Sequence, residues 1–349
     1  MFDSIIAFSI RNRLLVLALA ALVVAYGGWV LSKLPVDVFP DLNRPTVTIF
    51  TEAPGLAPEE VETLVTLPLE TAVNGATHIQ RVRSMSGIGL SLIFVEFGWE
   101  TDIYLARQIV SERIQGVSDT LPEGIKPMLG PISSIMGQIM AIGLTSNNPE
   151  VDAMALRGIA EWDLQRRLLA IPGVSQVTIQ GGDLKEYQVL VDPAKLVAFN
   201  LSLHDVDAAI DESNVNSSGG FLIEPYEEKL IRNLARVEGP EDLARTVVRA
   251  STDGAHITLG DIAEIRTGGP LVKRGDAGIN GQPGVILAVG KQPNADTLKL
   301  TRAIEAELAI LQAALPEGVK IHDDIFKQSN FIERAIHNVE EALRDGSIM

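Results

Sequence analysis

Cysteine is absent from this chain of 349 residues. Its absence excludes disulfides, thiolate metal sites and cysteine nucleophiles, so the fold has to be held by packing alone. Hydrophobic residues make up 46% of the chain, which is enough for sizeable cores in two or three domains.

The chain also has fewer basic than acidic residues. The chain has 29 Lys and Arg against 45 Asp and Glu, a formal net charge of -16. Such a charge repels phosphate backbones, so we expect no nucleic-acid partner. An acidic surface can concentrate cations, although most acidic domains bind none in particular.

The chain has no signature of an enzyme. It contains no Gly-x-Ser-x-Gly nucleophile motif and no Walker A loop for nucleotides. Gly181-Gly182 is predicted to be a turn. We therefore expect no catalytic residue, no cofactor and no use of ATP by this chain.

One apolar run is long enough for a membrane helix. Leu14 to Leu31 carries no charge, and Tyr26 and Trp29 lie toward its end, where interfacial aromatics are common. A cleaved signal peptide is the alternative, but the run is long for one and no small-x-small cleavage site follows it. A retained anchor is predicted, and no second run of membrane length appears after Pro40.

The rest of the chain alternates short apolar strands with amphipathic helices, which predicts an α+β fold. A strand within Pro45 to Ala53 precedes a helix that opens at Pro58 and that Pro68 is expected to kink. A hairpin with Gly87 and Gly89 near its turn follows, then a helix from Thr101 and a last short strand. This order is βαββαβ, the ferredoxin-like unit.

The unit is then repeated. Leu121-Pro122-Glu123-Gly124 and Leu315-Pro316-Glu317-Gly318 each close a helix and open a strand at the same place in the unit. In the second copy a long segment replaces a hairpin turn, and a strand is predicted within it near Asp261 to Ile265. The predicted division starts with the N-terminal stretch and membrane helix at residues 1-34 and the first unit at 35-132. The second unit is in two parts, 133-182 and 275-329, separated by the insertion at 183-274. The last helix is at 330-349.

Several motifs together carry a resemblance to a known family. The chain resembles the N-terminal third of a resistance-nodulation-division (RND) efflux permease of the heavy-metal branch. The residues that carry it are Leu34 to Asp41, Glu52 to Glu62, Pro68 to Gly75, Phe97 with Thr101 to Val110, Arg113, Gly130 to Ser133, and Arg274 to Asp276.

The resemblance implies an inner-membrane antiporter of a Gram-negative bacterium, driven by the proton gradient, whose cargo is a metal ion. It implies a homotrimer in the lipid bilayer, joined by a periplasmic membrane-fusion adaptor and an outer-membrane channel. The N-terminus would be cytoplasmic and most of this chain periplasmic. The two ferredoxin-like units would be porter subdomains, and the insertion would be an α+β docking subdomain.

The resemblance also implies two functional surfaces. The helix from Thr101 to Gln115 would line the central pore of the trimer, and a protruding loop near Asp211 to Leu230 would interlock with the next protomer. A plain flexible loop is the alternative for the second segment. The residues concerned are Asp102, Arg107, Gln108 and Glu112 on the helix, and Asn214, Asn216, Ser217, Gly219, Gly220 and Phe221 in the loop.

A complete RND pump has a dozen membrane helices, a second periplasmic half and membrane acids that carry protons. None is found in this sequence, so we expect a truncated chain that does not transport alone. Cut from its second half, the porter region is expected to expose apolar surface and to aggregate or swap.

Candidate metal ligands within the chain are few. His322 and Asp324 share a face of a predicted strand, and Met136 and Met140 lie four residues apart. A solvated strand end explains the first pair, and core packing explains the second. Copper members of the family carry methionines near the position of Leu271 and Val272, which slightly favours zinc, cobalt or nickel as cargo.

Three alternative functions remain open from the amino-acid sequence. The first is the drug branch of the same superfamily, which exports organic compounds. The second is a membrane-anchored periplasmic adaptor or assembly module that acts as the short chain. The third is an anchored enzyme, for which no constellation of catalytic side chains is found.

Overall fold

The structure of the protein is a computed structural model. It describes residues 2–31, 44–132, 137–213, 217–224, 227–233, 237–250, 256–271, 273, 275–293 and 295–348. Two helices begin the chain, α1 (Phe2–Arg11) and α2 (Arg13–Leu31). Of the residues described, only those of α2 form a helix long and apolar enough to span a membrane, and none of its length is buried by the rest of the protein. Helix α2 was predicted from the sequence, whereas α1 was not.

The first unit has the predicted βαββαβ order. Its first helix is interrupted by a π-helical turn at Glu62–Thr66, where Leu67 N–H bonds the carbonyl five residues back. The elements are β1 (Thr46–Glu52), α3 (Pro58–Val61), α4 (Leu67–Asn74), β2 (Ile79–Gly87), β3 (Leu90–Phe97), α5 (Ile103–Gln115) and β4 (Pro127–Leu129).

These strands form one antiparallel sheet in the order β2-β3-β1-β4. Alternate residues of β1, such as Val47 and Ile49, point toward the helices and are buried. They pack with Ala106, Val110 and Ile114 of α5 in one hydrophobic core. The period of two in the strand and of three to four in the helix is the pattern from which the unit was predicted.

The second unit starts with the same order. It opens with β5 (Gln138–Ser146), continues with α6 (Ala153–Ile159), a π-helical turn (Ala160–Gln165) and α7 (Arg166–Leu169), and reaches β6 (Val174–Gly181). The π turn therefore recurs at the same place in both units.

The insertion follows β6 and has a core of its own, which includes Leu243, Leu259 and Ile262. A strand was predicted near Asp261 to Ile265. That prediction was wrong at its start, because Asp261 lies in a short helix and Asp261 Oδ2 accepts from Thr258 N at its N-terminus. The elements are β7 (Glu186–Val191), α8 (Pro193–Ala198), α9 (Leu203–Ser213), β8 (Ser217–Glu224), β9 (Glu227–Asn233), α10 (Pro240–Ala244), β10 (Val247–Ala250), β11 (His256–Thr258), α11 (Leu259–Ile262) and β12 (Ala263–Gly268).

The second unit resumes with β13 (Ala277–Ile279), β14 (Gln282–Lys291), α12 (Thr297–Ala314) and β15 (Val319–Lys327). Its sheet runs β13-β14-β5-β15, with β6 also paired to β14. The short β13 was not predicted. A last helix, α13 (Ser329–Ile348), follows β15.

Candidate functional surfaces

Helix α5 starts at a capped N-terminus. The carboxylate of Asp102 accepts hydrogen bonds from the backbone N–H groups of Tyr104 at 2.8 Å and Leu105 at 3.1 Å. These bonds satisfy N–H groups that have no partner within the helix. Asp102 therefore has a local structural role, whatever else the helix contacts.

The other three residues of α5 that were predicted to line the pore differ in their exposure. Arg107 is half-buried and donates from Nη1 to the carbonyl of Gly130 at 2.5 Å, which ties the helix to the end of β4. Gln108 and Glu112 are exposed on the face away from the core. The structure thus leaves one face of α5 open, with Gln108 and Glu112 on it.

An open groove of about 820 Å³ lies between α4 and α5. Apolar side chains and one pair of opposite charges line it. They include Leu67, Thr71, Ala72, Glu112, Arg113 and Val117.

The predicted interlocking loop is largely a β-hairpin. Ser217, Gly219, Gly220 and Phe221 belong to β8, which pairs antiparallel with β9, so the prediction of a loop was wrong for these residues. Gly- and Ser-rich composition is typical of loops, but the pairing with β9 overrides it. Asn214 and Asn216 lie outside the described residues.

The hairpin exposes large apolar side chains at its far end. Phe221, Leu222 and Ile223 are all exposed, and Ile223 most of all, at 78%. Side chains of both faces of β8 are therefore open to contact. An extended apolar hairpin of this kind is suited to binding another protein surface.

The candidate metal ligands His322 and Asp324 lie in different surroundings. His322 Nε2 lies 2.8 Å from Thr145 Oγ1, while Asp324 is exposed. The pairing of β15 shifts between His322 and Phe326, so the regular alternation assumed for this strand does not hold. The described part of the chain has no group of three or more His, Asp or Glu side chains that could hold a metal ion.

Of the two methionine candidates, one lies among the described residues. Met140 is fully buried in the core of the second unit, where it packs as a hydrophobic side chain. Met136 is outside the described residues.

Near the same strand end, Lys327 forms a charged cluster that the sequence did not indicate. Its Nζ is 2.6 Å from Glu305 Oε1 and 2.7 Å from Asp323 Oδ2. The hydrogen bond from Lys327 lowers the pKa of Asp323. Burial lowers the pKa of Lys327, but its two carboxylate partners outweigh this, and the net direction is upward.

A second charged cluster lies on the open face of the first sheet. Glu96 is 8% exposed and accepts from Arg81 at 2.9 Å and Arg83 at 2.7 Å. The hydrogen bond from Arg81 is the main reason that the pKa of Glu96 lies below its ordinary value of 4.5, and burial opposes it. The partners are 13 and 15 residues apart in sequence, so only the pairing of β2 with β3 identifies them.

Comparison with known proteins identifies relatives over the whole chain. It is 35% identical over 354 residues to the cation efflux system protein CusA of Escherichia coli (strain K12). It is 32% identical over 356 residues to the cobalt-zinc-cadmium resistance protein CzcA of Cupriavidus metallidurans. Each alignment covers 100% of this chain and 33% of the relative, so the chain spans about a third of their length.

The fold agrees with these relatives. The crystal structure of a heavy metal efflux pump matches with a TM-score of 0.86 at 28% identity, covering 98% of this chain and 34% of that one. This match confirms the α+β fold with its N-terminal apolar helix. The predicted resemblance to the heavy-metal branch is confirmed by the same relatives. Residues 5–349 match the model of the AcrB/AcrD/AcrF family, and the chain belongs to that family.

Proposed function

We propose that this chain is the N-terminal part of the inner-membrane permease subunit of a proton-driven tripartite system that exports heavy-metal cations. The observation that carries the proposal is the alignment of the entire chain with cation efflux and metal resistance proteins. The metal ion is cargo, and the energy source is the proton gradient.

In this proposal α2 anchors the chain with its N-terminus in the cytoplasm and the two units in the periplasm. The open face of α5, with Gln108 and Glu112, contributes to the central pore of a homotrimer. The exposed Phe221 and Ile223 of the β8–β9 hairpin support a role in interlocking neighbouring protomers. A membrane-fusion adaptor and an outer-membrane channel complete the assembly.

The test starts with the DNA downstream of Met349. The complete reading frame is then expressed, with its neighbouring adaptor and channel genes, in a host sensitive to zinc, cobalt, nickel, copper and silver. Increased tolerance to at least one ion, with none to organic compounds, is the expected result. Tolerance to organic compounds alone would favour the drug branch, and a stop codon directly after Met349 would favour a short adaptor module.

A further inference from the structure

We propose that the loop that leads into α5 rests on the lipid headgroup region of the bilayer in which α2 is anchored. The contact surface, here called the Trp99 patch, consists of Arg44, Trp99, Tyr104 and Leu105. Tyr104 and Leu105 begin the face of α5 that the proposed function assigns to the central pore, so the patch would be the membrane end of that pore. The inference rests on the membrane anchorage in the proposed function, and it adds a second, peripheral membrane contact made by the first unit.

The patch lies where the chain arrives from the membrane helix. Phe97 N donates to the carbonyl of Pro45 at 2.8 Å, which places the end of β3 beside the start of β1. Arg44, the residue before Pro45, has its guanidinium carbon 5.9 Å from the centre of the Trp99 ring. Trp99 therefore contacts Arg44, the first described residue of the chain after α2.

The side chains of the patch are those that favour a membrane interface. Trp99 is 56% exposed, and Tyr104 and Leu105 on the first turn of α5 are exposed as well. Tryptophan and tyrosine combine an apolar ring with a polar group, and they are enriched at the level of lipid headgroups. The same chemistry occurs in α2, where Tyr26 and Trp29 form a ring pair 6.0 Å apart near its end.

The second unit provides an internal comparison. Its corresponding loop also ends in an aspartate cap, Asp296, which accepts from Lys299 N at 3.0 Å. Between Lys291 and Asp296, however, the sequence is Gln-Pro-Asn-Ala, without an aromatic residue. The shared architecture needs the aspartate but not the aromatics, so packing of the unit does not explain Trp99.

Charge does not select the lipid type. Glu100 and Asp102 follow Trp99 in the sequence and are exposed, so the loop carries acidic side chains as well as the basic Arg44 nearby. We therefore expect the patch to bind through its rings, and to bind a zwitterionic surface.

The chain offers a direct test, since its three tryptophans are Trp29, Trp99 and Trp162. Replacing two of them by phenylalanine leaves one reporter at a time. The complete chain is reconstituted into phosphatidylcholine vesicles with brominated acyl chains, and quenching of each lone tryptophan is compared with unlabelled vesicles. Trp162 is a matched control, because it is 60% exposed and also has an arginine over its ring. The guanidinium carbon of Arg166 lies 4.1 Å from the ring centre of Trp162.

We expect lone Trp99 to lose about half of its emission with shallow bromines, lone Trp29 to be quenched as well, and lone Trp162 to be unaffected. Quenching of Trp29 without Trp99 would overturn the patch and leave the anchor intact. Equal quenching of Trp99 and Trp162 would overturn it too. A blue-shifted but unquenched Trp99 would identify a protein surface as its partner, and unquenched Trp29 would contradict the anchorage itself.

Discussion

Among single residues, Thr66 connects the interrupted helix of the first unit to its sheet. Its hydroxyl lies 2.8 Å from Ser86 Oγ and 2.8 Å from Ser91 Oγ, and both Thr66 and Ser91 are buried. The residue closes the π turn, so the hydroxyl cluster fixes this turn against β2 and β3.

Thr66→Val is expected to destabilise the first unit by about 1–3 kcal/mol, because the isosteric change leaves the buried Ser91 hydroxyl without this partner. Urea unfolding followed by circular dichroism measures the change. Thr63→Val on the same helix is the control, since Thr63 is exposed. A loss no larger than that of the control would show that the hydroxyl cluster contributes no stability.

Glu96 predicts a pH dependence of stability. Its pKa is lowered in the folded state, so the ionised side chain stabilises the fold. This stabilisation is present above the ordinary pKa of 4.5 and is lost as the pH falls through the lower pKa of the folded state. Glu96→Gln should therefore lower the thermal midpoint near neutral pH, with a difference that shrinks in acid. Midpoints measured from neutral pH down to about pH 3 test this, and a pH-independent difference would contradict it.

The sequence could predict the residues whose partners are close along the chain. The helix start was predicted at Thr101, next to Asp102, whose partners Tyr104 and Leu105 lie only two and three residues ahead. The partners of Arg107 and Thr66 are 20 or more residues away. Such contacts depend on how helices and strands pack against one another, which the hydrophobic pattern of a single element does not specify.

At the scale of elements, the repeat of the π turn in both units is a finding that the sequence did not indicate. Pro68 was expected to kink the first helix, and it follows the π turn there. The second unit has the same turn without a proline in α7. Proline is therefore not required for the turn, which is a property of the repeated architecture.

The junction between the second unit and the insertion depends on glycine. Gly181 has φ +80°, and a Cβ there would lie 2.5 Å from Ala277 Cβ and 2.7 Å from the carbonyl of Gly284. Nearby, Lys273 Nζ joins Asp183 and Asp276 at 2.8 Å each. The start and the end of the insertion are thus held together where it leaves the sheet.

Gly181→Ala is expected to destabilise the second unit by roughly 2–3 kcal/mol, since both the backbone conformation and the close approach exclude a side chain. Gly275→Ala is the matched control, because its Cβ would meet nothing within 4 Å. Thermal unfolding of both variants measures the difference. Equal stability would show that the backbone at Gly181 relaxes freely.

The β8–β9 hairpin is expected to hold neighbouring chains together. Phe221→Asp with Ile223→Asp places charges on exposed apolar positions and should convert the assembled protein largely to monomer. Light scattering of the complete protein in detergent measures its mass. Val197→Asp on α8 is the control, because Val197 is more exposed than Phe221 or Ile223, and it should leave the assembly intact. Loss of assembly in both variants would show that the hairpin does not specifically hold the chains together.

Elements with strong periodicity were predicted from the sequence, and weakly marked ones were not. The two units and the long helices follow from apolar periods of two and of three to four residues. The hairpin at Ser217–Glu224 was missed because its composition is that of a loop and its partner strand is needed to define it. The three-residue β13 is too short to carry a period.

For the whole molecule, three hydrophobic cores follow one apolar helix that nothing in the described structure buries. Motifs spread along the chain are specific enough to indicate its family from the amino-acid sequence alone. The surfaces proposed to act in assembly were harder to predict, because exposure of α5 and of the hairpin depends on what packs against them. That information lies in the three-dimensional structure and in the partners.

The proposed function is the export of heavy-metal cations by the complete protein. The most direct measurement is the cellular content of zinc, cobalt, nickel, copper and silver in cells that express the complete reading frame, compared with cells that do not. We predict a lower content of at least one of these metals, reversed when the proton gradient is collapsed. Unchanged metal contents together with reduced accumulation of an organic dye would contradict the claim.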